Sequence, residues 1–273
     1  MKKCNNTSSE TSFSGPGTAK WCLTSRICFP GARKFRAPFL FYAIVKRIFI
    51  GTSGFSYKEW KGSFYPNDLP SKKYLSFYAN HFPTTEINNS FYRTPTIAAV
   101  EGWYGEVPAN FSFTLKMNQN ITHRKKLKNV DEEMAHFLEV ASHLQEKLGT
   151  ILVQLPPYFK KDAAVLEQFV SAYAKKTRLA FEFRHDTWID PEVFTMLRNH
   201  NCAWGVVEAE DHDATREITA DFIYMRLRKG DYAPDELKVW GDWIQQQTVD
   251  VYCYLKHDEK APVLAKLLME TII

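Results

Sequence analysis

The stretch Arg178 to Trp188, RLAFEFRHDTW, decides how the rest of the chain is read. On a strand, Leu179, Phe181 and Phe183 face one way and Ala180, Glu182 and Arg184 the other. The apolar set requires a helix layer to cover it. A carboxylate and a guanidinium then sit side by side on the opposite face. That is costly in a closed core and makes sense where a strand ends at a wet mouth.

Outward from this stretch, strand and helix patterns alternate. Toward the N-terminus, Ile151 to Leu155 reads as a strand and Asp162 to Lys175 as a helix. A long helix begins at Asn129-Val130-Asp131, carries Met134, Phe137, Leu138, Ala141 and Leu144, and is expected to end at a Gly149 C-cap. Phe111 to Met117 and Thr84 to Phe91 read as strands, separated by a helix from about Thr96 to Val107. Ile48-Phe49-Ile50 opens the first strand and runs into the turn Gly51-Thr52-Ser53-Gly54; Leu75, Tyr78, Ala79 and Phe82 then form a helical stripe.

Toward the C-terminus, Asp190-Pro191 starts a helix that ends near Asn201, and Cys202 to Val207 is the sixth strand. Asp211 to Thr219 is polar and irregular where a helix would stand. Phe222 to Leu227, Pro234 to Gln247, Val249 to Leu255 and Glu259 to Glu270 complete the alternation. Eight strand–helix units in one stretch, 47–273, predict a single-domain (β/α)8 TIM barrel. An open doubly wound sheet is the rival, but the first turn is not the glycine-rich phosphate loop GxGxxG.

Residues 1–46 lack periodicity and are expected to form an unstructured leader. Residues 1–47 hold nine Lys/Arg and one Glu. Such a basic, Ser/Thr-rich segment has the look of an organellar transit peptide, and equally of a translation start set too far upstream, with Val45 first if its codon is GTG. The remainder has 26 basic and 30 acidic residues. That balance disfavours a generic electrostatic grip on nucleic acid without excluding a local basic pocket. The five cysteines form no CxxC pair, and a reducing, cytoplasmic setting is expected, organellar only if the leader is a true transit peptide. The longest apolar run, Phe39 to Val45, is too short for a bilayer, so no membrane span is expected.

In a barrel, chemistry collects at the C-terminal strand ends. Strand parity brings Thr52, Glu86, Asn88, Lys116, Gln154, Glu182, Arg184, Glu208, Arg226 and Lys256 to that mouth. One inward ion pair is ordinary in a barrel interior; a ring of them suits a pocket for an anion or polar ligand. Tyr57, Tyr92 and Trp188, with Phe55, Trp60 and Phe91, follow the same strands, either as packing or as stacking platforms. His123 and His185 also follow strands and are candidate proton carriers. No HxH or HExxH spacing locks two metal ligands on one element, so no cofactor is predicted, while carboxylates from separate strands leave a divalent metal open.

These residues also form a recurrent set. Ile50-Gly51-Thr52-Ser53-Gly54-Phe55-Ser56-Tyr57 with Trp60 and Phe64-Tyr65-Pro66, Thr85-Glu86-Ile87-Asn88 with Phe91-Tyr92-Arg93, Phe113 with Lys116, Ile121-Thr122-His123, Ile151 to Pro157, and Glu182-Phe183-Arg184-His185 with Trp188 resemble the YecE-like family, a domain of unknown function. The resemblance implies a TIM barrel and a cytosolic protein and brings no established reaction. It loosens after strand five, where Arg228-Lys229-Gly230 replaces an expected His-Gly and Leu255-Lys256-His257-Asp258 replaces an aromatic-Asn-Asn ending.

The leading expectation is an enzyme with Glu86 and Glu182 as an acid/base pair assisted by His123. Its small anionic or sugar-like ligand is held by Lys116, Arg184, His185, Arg226, Asn88, Gln154, Tyr57, Tyr92 and Trp188. The alternatives are a non-catalytic module for a nucleotide or nucleic-acid end and a metal-dependent phosphoesterase or isomerase. Oligomeric state is not legible.

Overall fold

The structure, a computed structural model, describes residues 46–272; the expected leader, residue 46 aside, lies outside the described residues. Eight parallel strands close in sequence order: β1 (Ile48–Ser53), β2 (Thr84–Ile87), β3 (Ser112–Lys116), β4 (Leu148–Gln154), β5 (Leu179–Glu182), β6 (Ala203–Glu208), β7 (Phe222–Leu227) and β8 (Asp250–Leu255). The first strand pairs with the last, Ile48 opposite Val251 and Thr52 opposite Leu255, which leaves no free sheet edge.

The helices are α1 (Tyr74–Ala79), α2 (Asn89–Tyr92), α3 (Ile97–Glu106), α4 (Asp131–Ser142), α5 (Ala163–Tyr173), α6 (Pro191–Asn199), α7 (Pro234–Gln245) and α8 (Ala261–Glu270). Their starts follow from sequence chemistry. Asp162 accepts from the Val165 amide, Asp190 from the Glu192 amide with Pro191 in the first turn, and Thr96 from the Ala99 amide. No helix among the described residues is long and apolar enough to cross a membrane.

Two cores result. The larger lies between strands and helices and contains Trp60, Phe82, Phe113, Phe137, Phe181, Trp188 and Leu197, all essentially sealed from water. The smaller fills the barrel with Phe49, Leu152, Ala180, Ala203, Phe222, Tyr224, Tyr252 and Tyr254. Phe49 and Tyr252 stack at 4.8 Å between ring centroids, closing the interior toward the N-terminal strand ends. Above them the Tyr254 hydroxyl bonds those of Thr84 and Thr114 at 2.9 and 2.6 Å. Polar side chains enter the interior there in satisfied pairs, as a buried hydroxyl requires.

Gly149 does not cap a helix. The fourth helix ends at Ser142, and Gly149 lies inside β4. A Cβ there would stand 2.3 Å from Ser112 Oγ and 2.8 Å from Tyr252 Cε1, so close approach inside the barrel is what requires glycine. The second strand ends at Ile87, earlier than expected, and Asn89–Tyr92 turns into α2. The segment after β6 has no helix, as expected. Thr219 ties it down by accepting from the Trp204 amide and donating to the Cys202 carbonyl, both at 2.7 Å.

Candidate functional site at the barrel mouth

Parity inside the barrel is set by the residues of its core. Counting from Phe49, the inward residue at the end of β1 is Ser53, not Thr52; the Thr52 hydroxyl instead meets that of Tyr78 on α1 at 2.8 Å. Counting from Ala203, Glu208 faces outward, where its carboxylate accepts from Trp240 Nε1 at 2.9 Å. Both parity expectations are therefore corrected. Elsewhere parity holds: Glu86, Lys116, Gln154, Glu182 and Arg226 enter the mouth from five strands.

Arg226 is the hub. Its guanidinium is 3% exposed and bridges two fully buried carboxylates, Glu86 at 2.9 Å and Glu182 at 2.6 Å. Tyr224 and Ser53 both donate to Glu86, and Asn88 donates to Ser53 Oγ at 2.8 Å. Gln154 donates to Glu182 at 2.6 Å. Around this knot Arg184 reaches Glu182 at 2.9 Å and Arg228 at 3.4 Å. Burial raises the pKa of the Glu182 carboxyl, yet Arg226, Arg184 and Arg228 overcome that and hold it well below the usual carboxylate range. Burial, and then the Glu86 carboxylate, push the Tyr224 phenol far up, so it stays a donor.

The cations outnumber their partners. Arg184, Arg226, Arg228 and Lys116 converge on two carboxylates. Among the described residues Lys116 makes no ion pair; its Nζ stands 4.3 Å from the centroid of the Phe91 ring. Burial, and next the Arg226 charge, push Lys116 down to about 8. Lys256 is lowered in the same way, by burial first and then by Arg228 and Arg226. Two polar atoms here are buried without partners, Nε of Arg226 and Nε of Arg228. A cavity of about 430 Å³ opens onto Glu182, Arg184 and Arg228, with Asp186, Asp211 and His212 on its outer wall.

His123 reaches the mouth from a π-helical turn, Asn120–Arg124, after β3. Its ring meets the Phe91 ring edge-on at 4.9 Å, beside Lys116. Burial, then the charges of Lys116 and Arg184, push His123 below its ordinary value, so it is neutral at pH 7. The chain just beyond is strained: Lys126, Leu127 and Asn129 have φ of 50°, 67° and 52°. Tyr57 and Asn88 line a smaller cavity of about 310 Å³ nearby, and the Tyr57 hydroxyl donates to the Ser53 carbonyl at 2.7 Å.

Three expected residues stand elsewhere. Trp188 is sealed in the outer core, its indole N–H donating to the Phe159 carbonyl at 2.7 Å, because the turn after β5 folds it back under Phe183. Tyr92 is 72% exposed, since the early end of β2 places it on the outer side of α2. His185 serves its own turn, its Nδ1 accepting from the Thr187 amide at 3.2 Å. Sequence reasoning missed Ser53, Tyr224 and Arg228 as site residues. Tyr224 shares parity with Arg226 and could have been found by counting back two. Among the described residues no group of three or more His, Cys, Asp and Glu side chains is arranged to hold a metal ion.

Comparison with known proteins places this geometry in a family. The family model described as "Protein of unknown function DUF72" matches residues 49–272, and so includes strands six to eight, where the resemblance read from sequence loosens. The UPF0759 protein YunF of Bacillus subtilis is 30% identical over 155 residues, 54% of each chain. The UPF0759 protein YecE of Escherichia coli K12 is 29% identical over 112 residues, 41% of each. The chain thus spans about half the length of the curated relatives it matches. A DUF72 family protein of Thermotoga maritima superposes with a TM-score of 0.73 at 26% identity, covering 83% of this chain and 99% of that one. Another from Enterococcus faecalis, at 19% identity and a TM-score of 0.68, shares the fold. The chain, with its closed eight-stranded barrel, belongs to the DUF72 family of YecE-like proteins.

Proposed function

We propose that the barrel mouth is an active site for a small anionic substrate. The substrate's charge would be met by Arg184, Arg228 and Lys256, and its protons moved by His123. The observation that carries this reading is the crowding of cations on the two buried carboxylates. Arg184, Arg226 and Arg228 converge on two carboxylates with Lys116 beside them, and two guanidinium nitrogens are buried without acceptors, one of them on Arg228, which lines an open cavity. Holding cations together without counter-charge costs free energy, and an arriving phosphate or carboxylate would recover it through charge-assisted hydrogen bonds.

Glu86 and Glu182 take a different part from the acid/base pair expected from sequence. Both are engaged on Arg226, and Glu182 is held as a carboxylate by three guanidinium groups. Their work is to fix Arg226 in place. A glycosidase needs one of its two carboxyl groups protonated, a part that Glu182 does not suit. His123, neutral and near the pocket, is the better proton acceptor.

Isothermal titration of the full chain with glucose 6-phosphate, a nucleoside monophosphate and a dicarboxylate, followed by product analysis, tests the proposal. Arg184→Ala should weaken binding about tenfold or more, and His123→Asn should spare affinity while abolishing turnover. Affinity without turnover in the unmodified protein would point instead to the non-catalytic binding module. No saturable binding of any anion would refute the reading.

A further inference from the structure

Among the described residues, most lysines near acidic groups are ion-paired: Lys125, Lys128, Lys161, Lys229, Lys238 and Lys260 all are. Lys147, which is buried, donates to the carbonyls of Tyr104 and Val107 at 2.7 and 2.8 Å. Lys116 differs from both kinds. It is the last residue of β3 with its side chain turned into the barrel mouth, and it makes no ion pair or side-chain hydrogen bond among the described residues. The strand end that carries it is pinned, because Ser90 Oγ donates to the Lys116 carbonyl at 2.7 Å. Its Nζ lies over the Phe91 ring, and the His123 ring stands nearly perpendicular to that same ring at 4.9 Å between centroids.

We propose that Lys116 is a nucleophile that forms an imine with the carbonyl carbon of a small ketone or aldehyde bearing a phosphate or carboxylate group. This rests on the anion-site reading above, which supplies the grip on the charged end through Arg184 and Arg228. An imine-forming lysine needs its nitrogen free of a carboxylate, fixed on a rigid element, and surrounded by groups that favour the neutral amine. Burial and the neighbouring Arg226 charge, which push Lys116 down to about 8, meet the last need. Roughly a quarter of the side chain is then free amine at pH 7.5, against about one in a thousand for an ordinary lysine.

The step balances without an oxidant or reductant. The Nζ lone pair adds to the carbonyl carbon, the C=O π pair moves to oxygen, and a proton passes from nitrogen to that oxygen, giving a carbinolamine. The hydroxyl then leaves as water, taking one proton, and the C=N bond forms as a cationic iminium. His123, neutral beside Lys116, takes one proton from the Lys116 ammonium before the attack and gives that proton to the departing hydroxyl, so that ammonium and carbonyl become iminium and water. The iminium carries the same charge as the ammonium it replaces, so the face of Phe91 continues to stabilise it.

Two measurements on the full chain test the proposal. In the first, the protein is treated with sodium borohydride in the presence of dihydroxyacetone phosphate or pyruvate and the lysines are mapped by peptide mass spectrometry. A parallel melt with each probe, without reductant, reports whether the anion is bound. The expected result is a reduced adduct on Lys116 at least tenfold above that on any other lysine, lost in a Lys116→Arg variant that melts normally. A rise in melting temperature with no adduct at Lys116 overturns imine formation and leaves the anion site standing. Neither a rise nor an adduct overturns both, and labelling spread over exposed lysines overturns the imine. The second measurement, competitive acetylation against pH, needs no substrate. Half-maximal reactivity of Lys116 near pH 8 is expected, and a midpoint near the ordinary lysine value of about 10.4 would overturn the proposal.

Discussion

The two ends of the barrel handle charge in opposite ways. At the end where the strands begin, Arg47 and Arg178 share Asp250, and the Arg47 side chain is 61% exposed. The two arginines line a cavity of about 470 Å³ that is open to water, while Asp250 itself is buried beneath them. At the mouth, Arg226, Glu86 and Glu182 are sealed from water and further cations crowd a knot already paired. A solvated ion pair contributes little and costs little, whereas a buried one must be satisfied completely. The first end gives one buried carboxylate two guanidinium partners that remain partly in water. The second packs more cations than carboxylates around one buried knot, and the proposed anion site rests on that difference.

The sharpest way to break this contrast is to remove one partner at each end. Arg226→Met leaves Glu86 buried without an ion-pair partner and Glu182 with only Arg184 and Arg228, and should cost about 3–5 kcal/mol in urea denaturation. Asp250→Asn, which leaves a largely solvated Arg47, should cost about 1 kcal/mol. Equal losses would erase the distinction.

Lys116→Met sharpens it from the other side. The folded pKa of Lys116, about 8, lies below its unfolded value, so the folded state is penalised wherever the amine must be charged. The penalty is fully present below pH 8 and relieved as pH rises toward the unfolded value of about 10.4. The variant should therefore be more stable than the unmodified chain by about 1–3 kcal/mol at pH 7, with the gain shrinking toward pH 10.4. Glu182 has the opposite sign: its folded pKa is depressed, so its contribution is present above an unfolded value of about 4.3 and lost as pH falls below it. Acid melts of Glu182→Gln should accordingly show a weaker pH dependence below about pH 4.3 than the unmodified chain.

Trp188→Phe removes one buried hydrogen bond, to the Phe159 carbonyl, and should cost about 1–2 kcal/mol in a thermal melt while leaving anion affinity unchanged. Tyr92→Ala, at an exposed position, should change stability by less than about 0.5 kcal/mol.

Most of the barrel was legible because strand and helix periods alternate cleanly and because Asp162, Asp190-Pro191 and Thr96 punctuate helix starts. Which face of a strand points inward was harder to read. Parallel barrel strands are buried on both sides, so polarity does not separate inside from outside. That is why Thr52 was preferred over Ser53 and why Glu208 was turned inward. Strand parity at the C-terminal ends brings Glu86, Lys116, Gln154, Glu182 and Arg226 to the mouth, where the structure also has them, with Asn88 and Arg184 just beyond the ends of β2 and β5. Trp188 and Tyr92 were misplaced because their positions depend on turn geometry after β5 and β2, which residue type alone does not carry. Arg228 was noted only as a departure from the family pattern, since its approach to Glu182 exists only after the barrel closes.

The most direct test of the mouth as an anion site is a thermal melt of the full chain against increasing pyrophosphate, with sodium chloride matched for ionic strength and Arg228→Met in parallel. A saturable rise in melting temperature that chloride does not reproduce and that Arg228→Met largely loses is the expected result. No rise beyond the chloride control, or a rise the variant keeps in full, would contradict the claim that the surplus cations await a ligand.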